Sequence, residues 1–125
     1  MEGYSVKVVE ASRQLTAKER IAVKDFGLAA HLDEAVTETA LVIKVKDYVV
    51  LQVHNEKADN REYVKYLLID DNGERYITGS EPFWSTFKDI WDEISVEPDV
   101  DWSLKVYRQE SKNYKGKHFL TCTII

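Results

Sequence analysis

The chain contains a single cysteine, Cys122. No internal disulfide can form, and a reducing, cytoplasmic setting is the expectation. Only two prolines and five glycines occur in 125 residues, too few for a long linker or a low-complexity tract. No apolar run approaches the roughly 20 residues of a membrane-crossing helix. The opening Met1-Glu2-Gly3-Tyr4 has neither the basic nor the apolar region of a secretory leader. The motifs of common enzyme chemistry are missing as well. There is no Gly-rich phosphate loop and no GxSxG elbow. His31, His54 and His118 stand apart, with no second His or Cys at metal-ligand spacing. These absences argue against an enzyme, a bound cofactor, a metal site and contact with a membrane.

What is present is ordinary for a folded domain. Hydrophobic residues make up 44% and charged residues 31%, too apolar for a disordered chain. A chain of this length buries roughly two-thirds of its unfolded surface, enough for a core without staples. One domain spanning residues 1–125 is the expectation. The net charge is −5, unevenly spread. Residues 102–125 hold Lys105, Arg108, Lys112, Lys115 and Lys117 against Glu110 alone, so the rest of the chain carries −9. An acidic protein does not coat nucleic acid indiscriminately, but a basic end can form one local anion-binding face.

Periodicity predicts mostly strands. Residues 4–10 read as a short strand. Thr16 and Glu19 fit a capping box that would start a helix, while Ile21, Val23 and Phe26 favour a strand over 20–26. A helical turn is expected around Asp33–Val36. From Leu41 to His54, apolar residues fill the odd positions and Lys44, Lys46, Gln52 and His54 sit at even ones, the period of a strand. Asp47 interrupts the apolar row, as a bulge or a turn would. A strand over Tyr63–Ile69 and one over Arg75–Thr78 flank Asn72-Gly73, a strong hairpin signal. Ser80, Glu81 and Pro82 then suit a helix start. Phe83, Trp84, Phe87, Ile90, Trp91 and Ile94 form one helical stripe that belongs in a core. Ser85, Lys88, Asp89, Asp92 and Glu93 make a solvated opposite side. Two strands, Trp102–Arg108 and His118–Ile125, close the chain.

The fold class is therefore α+β, mostly β. From residue 41 the order is strand, strand, strand, helix, strand, strand, which is the order of an OB-like five-stranded barrel with its helix between strands 3 and 4. The N-terminal strands are additional.

The last two strands sort by face. Leu104, Val106, Leu120, Cys122 and Ile124 turn inward. Cys122 is then a buried, inert thiol. Lys105, Tyr107, Phe119 and Thr121 are left on an outward surface. The joining loop adds Lys112, Asn113, Tyr114, Lys115 and Lys117. Lysines track a phosphate backbone and aromatic rings stack on exposed bases. The same pattern has a plainer explanation: Tyr and Phe favour strands for packing, and edge lysines discourage aggregation.

The stretch Tyr76-Ile77-Thr78-Gly79-Ser80-Glu81-Pro82-Phe83-Trp84, with Lys105-Val106-Tyr107-Arg108 and the run from Ser111 to Cys122, resembles small proteins encoded by phages and mobile elements of Gram-positive bacteria. The resemblance covers about the last 50 residues. It implies a phage-type accessory protein of the small single-strand-binding, OB-like kind. Bacterial single-strand-binding proteins end in an acidic tail, whereas this sequence stops on a strand at Ile125.

Two functions follow. In the first, Lys105, Arg108, Lys112, Lys115 and Lys117 hold the phosphates of single-stranded DNA or RNA. Tyr107, Tyr114 and Phe119 stack on bases, and Asn113 hydrogen-bonds a base or fixes the loop. In the second, the acidic body makes the chain a protein-interaction module that modulates a host or phage protein. The hairpin edge also offers strand addition to a second copy, hence a homodimer.

Overall fold

A computed structural model describes residues 3–57, 61–97, 99–110 and 118–125. The described chain is α+β and mostly β. Its strands are β1 (Tyr4–Ala11), β2 (Ala30–His31), β3 (Leu41–Ile43), β4 (Val45–Asn55), β5 (Glu62–Asp70), β6 (Arg75–Thr78), β7 (Leu104–Glu110) and β8 (His118–Ile124). The helices are α1 (Ala17–Lys24), α2 (Leu32–Ala35) and α3 (Glu81–Ile94). Residues 1–31 with 46–79 form one compact unit, and residues 32–45 with 80–125 form another.

The first unit is built on a five-stranded sheet in the order β1-β4-β5-β6-β2. Its central strands follow from the period-two pattern: Val49, Leu51 and Val53 of β4 are all fully buried. Leu15, Val23, Ala29, Val49, Leu51, Leu67 and Ile77 make one apolar cluster, with Val6, Val8 and Phe26 packed against it. Strand β1 runs antiparallel to β4 from Tyr4↔Asn55 to Ala11↔Val49, with a register shift between Val8 and Glu10. Strand β2 is parallel to β6. The β5–β6 turn matches the Asn-Gly signal. Gly73 has φ +83°, where a side chain would be strained. The Asp70 carboxylate accepts from the amides of Asn72 at 2.9 Å and Glu74 at 2.8 Å.

The strand expected over residues 20–26 is a helix. The capping box forms in full: the Glu19 amide donates to Thr16 Oγ1, and the Thr16 amide donates to Glu19 Oε1. Of the three residues that suggested a strand, only Val23 is buried; Phe26 is half-buried and Ile21 is 70% exposed. An apolar row that buries one member does not hold a strand, so the cap decides. Asp47 also differs from expectation. The chain breaks at Lys44, and Asp47 lies inside β4.

The second unit holds the three-stranded sheet β3-β7-β8 and helix α3. The Ser80 side chain caps α3 by accepting from the Phe83 amide. Phe83 and Phe87 are fully buried, worth roughly 1.5–3 kcal/mol each in apolar burial. Trp84 and Trp91 are half-buried, with ring centroids 5.3 and 5.9 Å from Phe87. Helix α3 packs on β8.

The OB-like five-stranded barrel is not formed among the described residues. Their strands lie in two sheets with no closed barrel. The physical reason is pairing. Strand β3 pairs with β7 through Leu41↔Val106 and Ile43↔Leu104, while β4 pairs with β1. The long segment 41–54, read as one strand, thus serves two sheets.

Candidate nucleic-acid interface

Strands β7 and β8 form a seven-pair antiparallel ladder from Leu104↔Ile124 to Glu110↔His118. Strand alternation places Leu104, Val106, Leu120, Cys122 and Ile124 on one row; the first four are buried, whereas Ile124, expected inward, is 40% exposed at the end of β8. Burial pushes the Cys122 thiol up to about 12, which leaves it protonated and unreactive near neutral pH.

The opposite row carries Lys105, Tyr107 and Gln109 beside Thr123, Thr121 and Phe119. Lys105 is exposed, Tyr107 is half-buried, and Phe119 is 38% exposed. The Lys105 Nζ lies 5.7 Å from the centroid of the Tyr107 ring, within cation–π range. Lys105 makes no ion pair among the described residues. Tyr107 and Phe119 stand one diagonal step apart, roughly 7–8 Å, which long and aromatic side chains can span.

Two of the sequence-derived assignments change. Thr121 is 7% exposed, so it faces outward by register but is not open to a ligand. Arg108 sits on the other row, opposite Leu120. Its Nε donates to the Val36 carbonyl at 2.8 Å, and its NH2 donates to the Asp33 carbonyl. Both carbonyls belong to α2 or the residue just after it. Arg108 therefore secures α2, and its guanidinium is taken up by the fold. Lys112, Asn113, Tyr114, Lys115 and Lys117 lie outside the described residues.

Sequence reasoning missed two features. Val42 pairs with Lys105 across β3 and is 54% exposed. Like Tyr48 and Val50 it is an apolar residue at an even position of the segment, but those two are buried and it is not. The other is a polar cluster in the first unit. The His54 ring nitrogen Nδ1 bonds the Glu62 carboxylate, which also accepts from Gln52 at 3.4 Å. His54 Nε2 lies 3.6 Å from Glu56. The hydrogen bond to Glu62, helped by its charge and that of Glu56, raises the His54 pKa above 6.5. Ser5 and Lys7, paired across from His54 and Gln52, complete a small polar hollow. Among the described residues no group of three or more His, Cys, Asp or Glu side chains is arranged to hold a metal ion.

No family model, curated protein or solved structure matches this chain.

Proposed function

We propose that the outward face of the β7–β8 hairpin binds single-stranded nucleic acid, DNA or RNA, and that the protein acts by binding without catalysis. The observation that carries this is a pair of partly exposed aromatic residues, Tyr107 and Phe119, on the row of a lysine that makes no ion pair among the described residues. A flat base stacks on such a ring, and Lys105 meets the backbone phosphate. By sequence, Lys112, Lys115 and Lys117 add three more cations within the same hairpin. The OB-like reading of the fold belongs to this proposal, on the order of the elements after residue 41. Binding does not require a closed barrel, because a sheet face with aromatics is sufficient. A phage-type accessory role in the cytoplasm is the setting proposed for it.

Fluorescence anisotropy of labelled oligo(dT) and oligo(U) at low salt tests the proposal. Micromolar affinity is expected. Tyr107→Ala and Phe119→Ala each weaken it by roughly five- to a hundredfold, the value of one stacked base. Four lysines on single-stranded phosphate give a salt slope of about −3 in a log–log plot. No binding at tens of micromolar protein overturns the proposal.

A further inference from the structure

A second surface, distinct from the hairpin face, lies between the C-terminal half of α3 and the end of β8. Ile90, Ile94, Val96 and Ile124 line an open groove with a volume of about 450 Å³, and Asp89, Glu93 and Glu97 stand along its rim. Val96 is 76% exposed and Ile124 is 40% exposed. The three acids are exposed and make no ion pair among the described residues.

Two features of this groove are unfavourable in the free protein. The first is exposed branched aliphatic surface gathered into one concavity. The second is the sign of the charge. A helix C-terminus carries a partial negative charge and is normally matched by Lys, Arg or His. The last turn of α3 has no basic residue, and Asp92 and Glu93 stand there instead. Lys88 offsets Asp92 through an i,i+4 bridge at 3.2 Å, while Asp89 and Glu93 face the groove. Asp89 and Glu93 stand four residues apart on α3, a step of about 6 Å along the helix, and Glu97 follows in the segment just beyond its end. Departures from local helix rules of this kind concentrate where a partner supplies the compensation.

We infer that this groove is a docking site for a basic amphipathic peptide helix of a partner protein. Apolar side chains of the peptide fill the space over Ile90, Ile94, Val96 and Ile124. Its lysines or arginines, at i,i+4 spacing, meet the carboxylates of Asp89, Glu93 and Glu97. Charge complementarity selects the occupant: an acidic or neutral helix would bury its apolar face but leave the rim and the negative helix end unmatched. The inference does not rest on nucleic-acid binding, since it uses other residues and the opposite charge.

The test uses the full chain and a fluorescein-labelled Leu/Lys peptide of about 18 residues, long enough to form a helix on binding. Its apolar residues follow i, i+3, i+4, i+7. Micromolar anisotropy binding is expected. Asp89→Lys with Glu93→Lys weakens it at least about tenfold, equivalent to about 1.4 kcal/mol. Val96→Ser, at an exposed position that the fold does not need, weakens it roughly threefold. A control pair, Glu38→Lys with Asp71→Lys, makes the same change in net charge elsewhere and leaves binding unchanged. The inference is overturned if the control pair weakens binding as much as the groove pair. It is overturned equally if a scrambled peptide of the same composition binds as tightly. It also fails if sedimentation shows the groove occupied by a second copy of the protein, with Val96→Ser restoring monomers.

Discussion

Two polar regions of this molecule sit on strands, and they differ in where their bonding capacity ends. In the first unit the carboxylate of Asp47, 7% exposed, accepts from Ser12 Oγ at 2.9 Å and Arg13 Nε at 3.2 Å. Ser12 Oγ accepts in turn from the Tyr48 amide. Arg13 continues to Glu19, which closes the capping box of α1 and is held at a pKa of about 2 chiefly by that guanidinium. Every member bonds another member, so the network joins β1, β4 and the start of α1. On the β7–β8 face the polar groups do not close on each other. Lys105 has an aromatic ring as its neighbour, and Phe119 is 38% exposed. A closed set of polar groups organises the chain, whereas an open set leaves affinity for something else.

The contrast can be broken at several points, beginning with the frame beneath both regions. Phe87→Ala should cost about 3–5 kcal/mol and Leu67→Ala about 2–5 kcal/mol in urea denaturation. A loss under about 1 kcal/mol at either site would show that its unit lacks the packed core described. Asp47→Ala comes next. It should remove about 1–3 kcal/mol by leaving polar partners unsatisfied, with oligonucleotide affinity unchanged. A fall in affinity at constant stability would make Asp47 part of the binding surface. Arg108→Ala and Lys105→Ala form the sharpest pair. The first should lower stability by about 1 kcal/mol. The second should leave stability within about 0.5 kcal/mol, as for exposed positions generally, while weakening binding. An exchange of those outcomes would restore Arg108 to the phosphate site.

The smallest effect concerns pH. The folded protein raises the His54 pKa above 6.5. That contribution to stability is full below 6.5 and is lost as pH rises through the folded value. His54→Gln should therefore flatten this part of the pH dependence. An NMR titration of the His54 ring with a midpoint at or below 6.5 would contradict the hydrogen bond to Glu62.

Much of the local structure was legible because local rules decide it. The Asn72-Gly73 turn and the Ser80 cap of α3 appear as read, and Val49, Leu51 and Val53 with Phe83 and Phe87 are buried as expected. The segment 41–54 is two strands, and Ile90 and Ile94 of the α3 stripe line an open groove instead of the core. The inward row of β7 and β8 was visible from alternation as far as Cys122, while Ile124 is exposed and Thr121 buried against expectation. Helix α1 was misread because Ile21 and Val23 imitate a strand, and the capping box outweighs them. The sheet arrangement was not legible, since it depends on which distant strands pair. Arg108 illustrates the same limit: its Nε partner, the Val36 carbonyl, lies 72 residues away. Alternation assigns a row to a side chain but cannot say what lies at the end of its reach. The groove beside α3 was hidden for another reason. Its stripe and its acids were both visible, and only the geometry shows Ile90, Ile94, Val96 and Ile124 facing outward beside them.

The ladder of β7 and β8 has one more consequence, for how this protein can vary. Glu110↔His118 is the last pair of the ladder, and seven residues separate the two in sequence. Whatever sequence fills that gap begins and ends at the same two points. Doubling its length adds only roughly 0.6 kcal/mol of closure entropy, while Leu104, Val106, Leu120 and Cys122 stay in place. The pairing of β7 with β8 can therefore accept substitution or insertion between residues 110 and 118 at small cost to the fold.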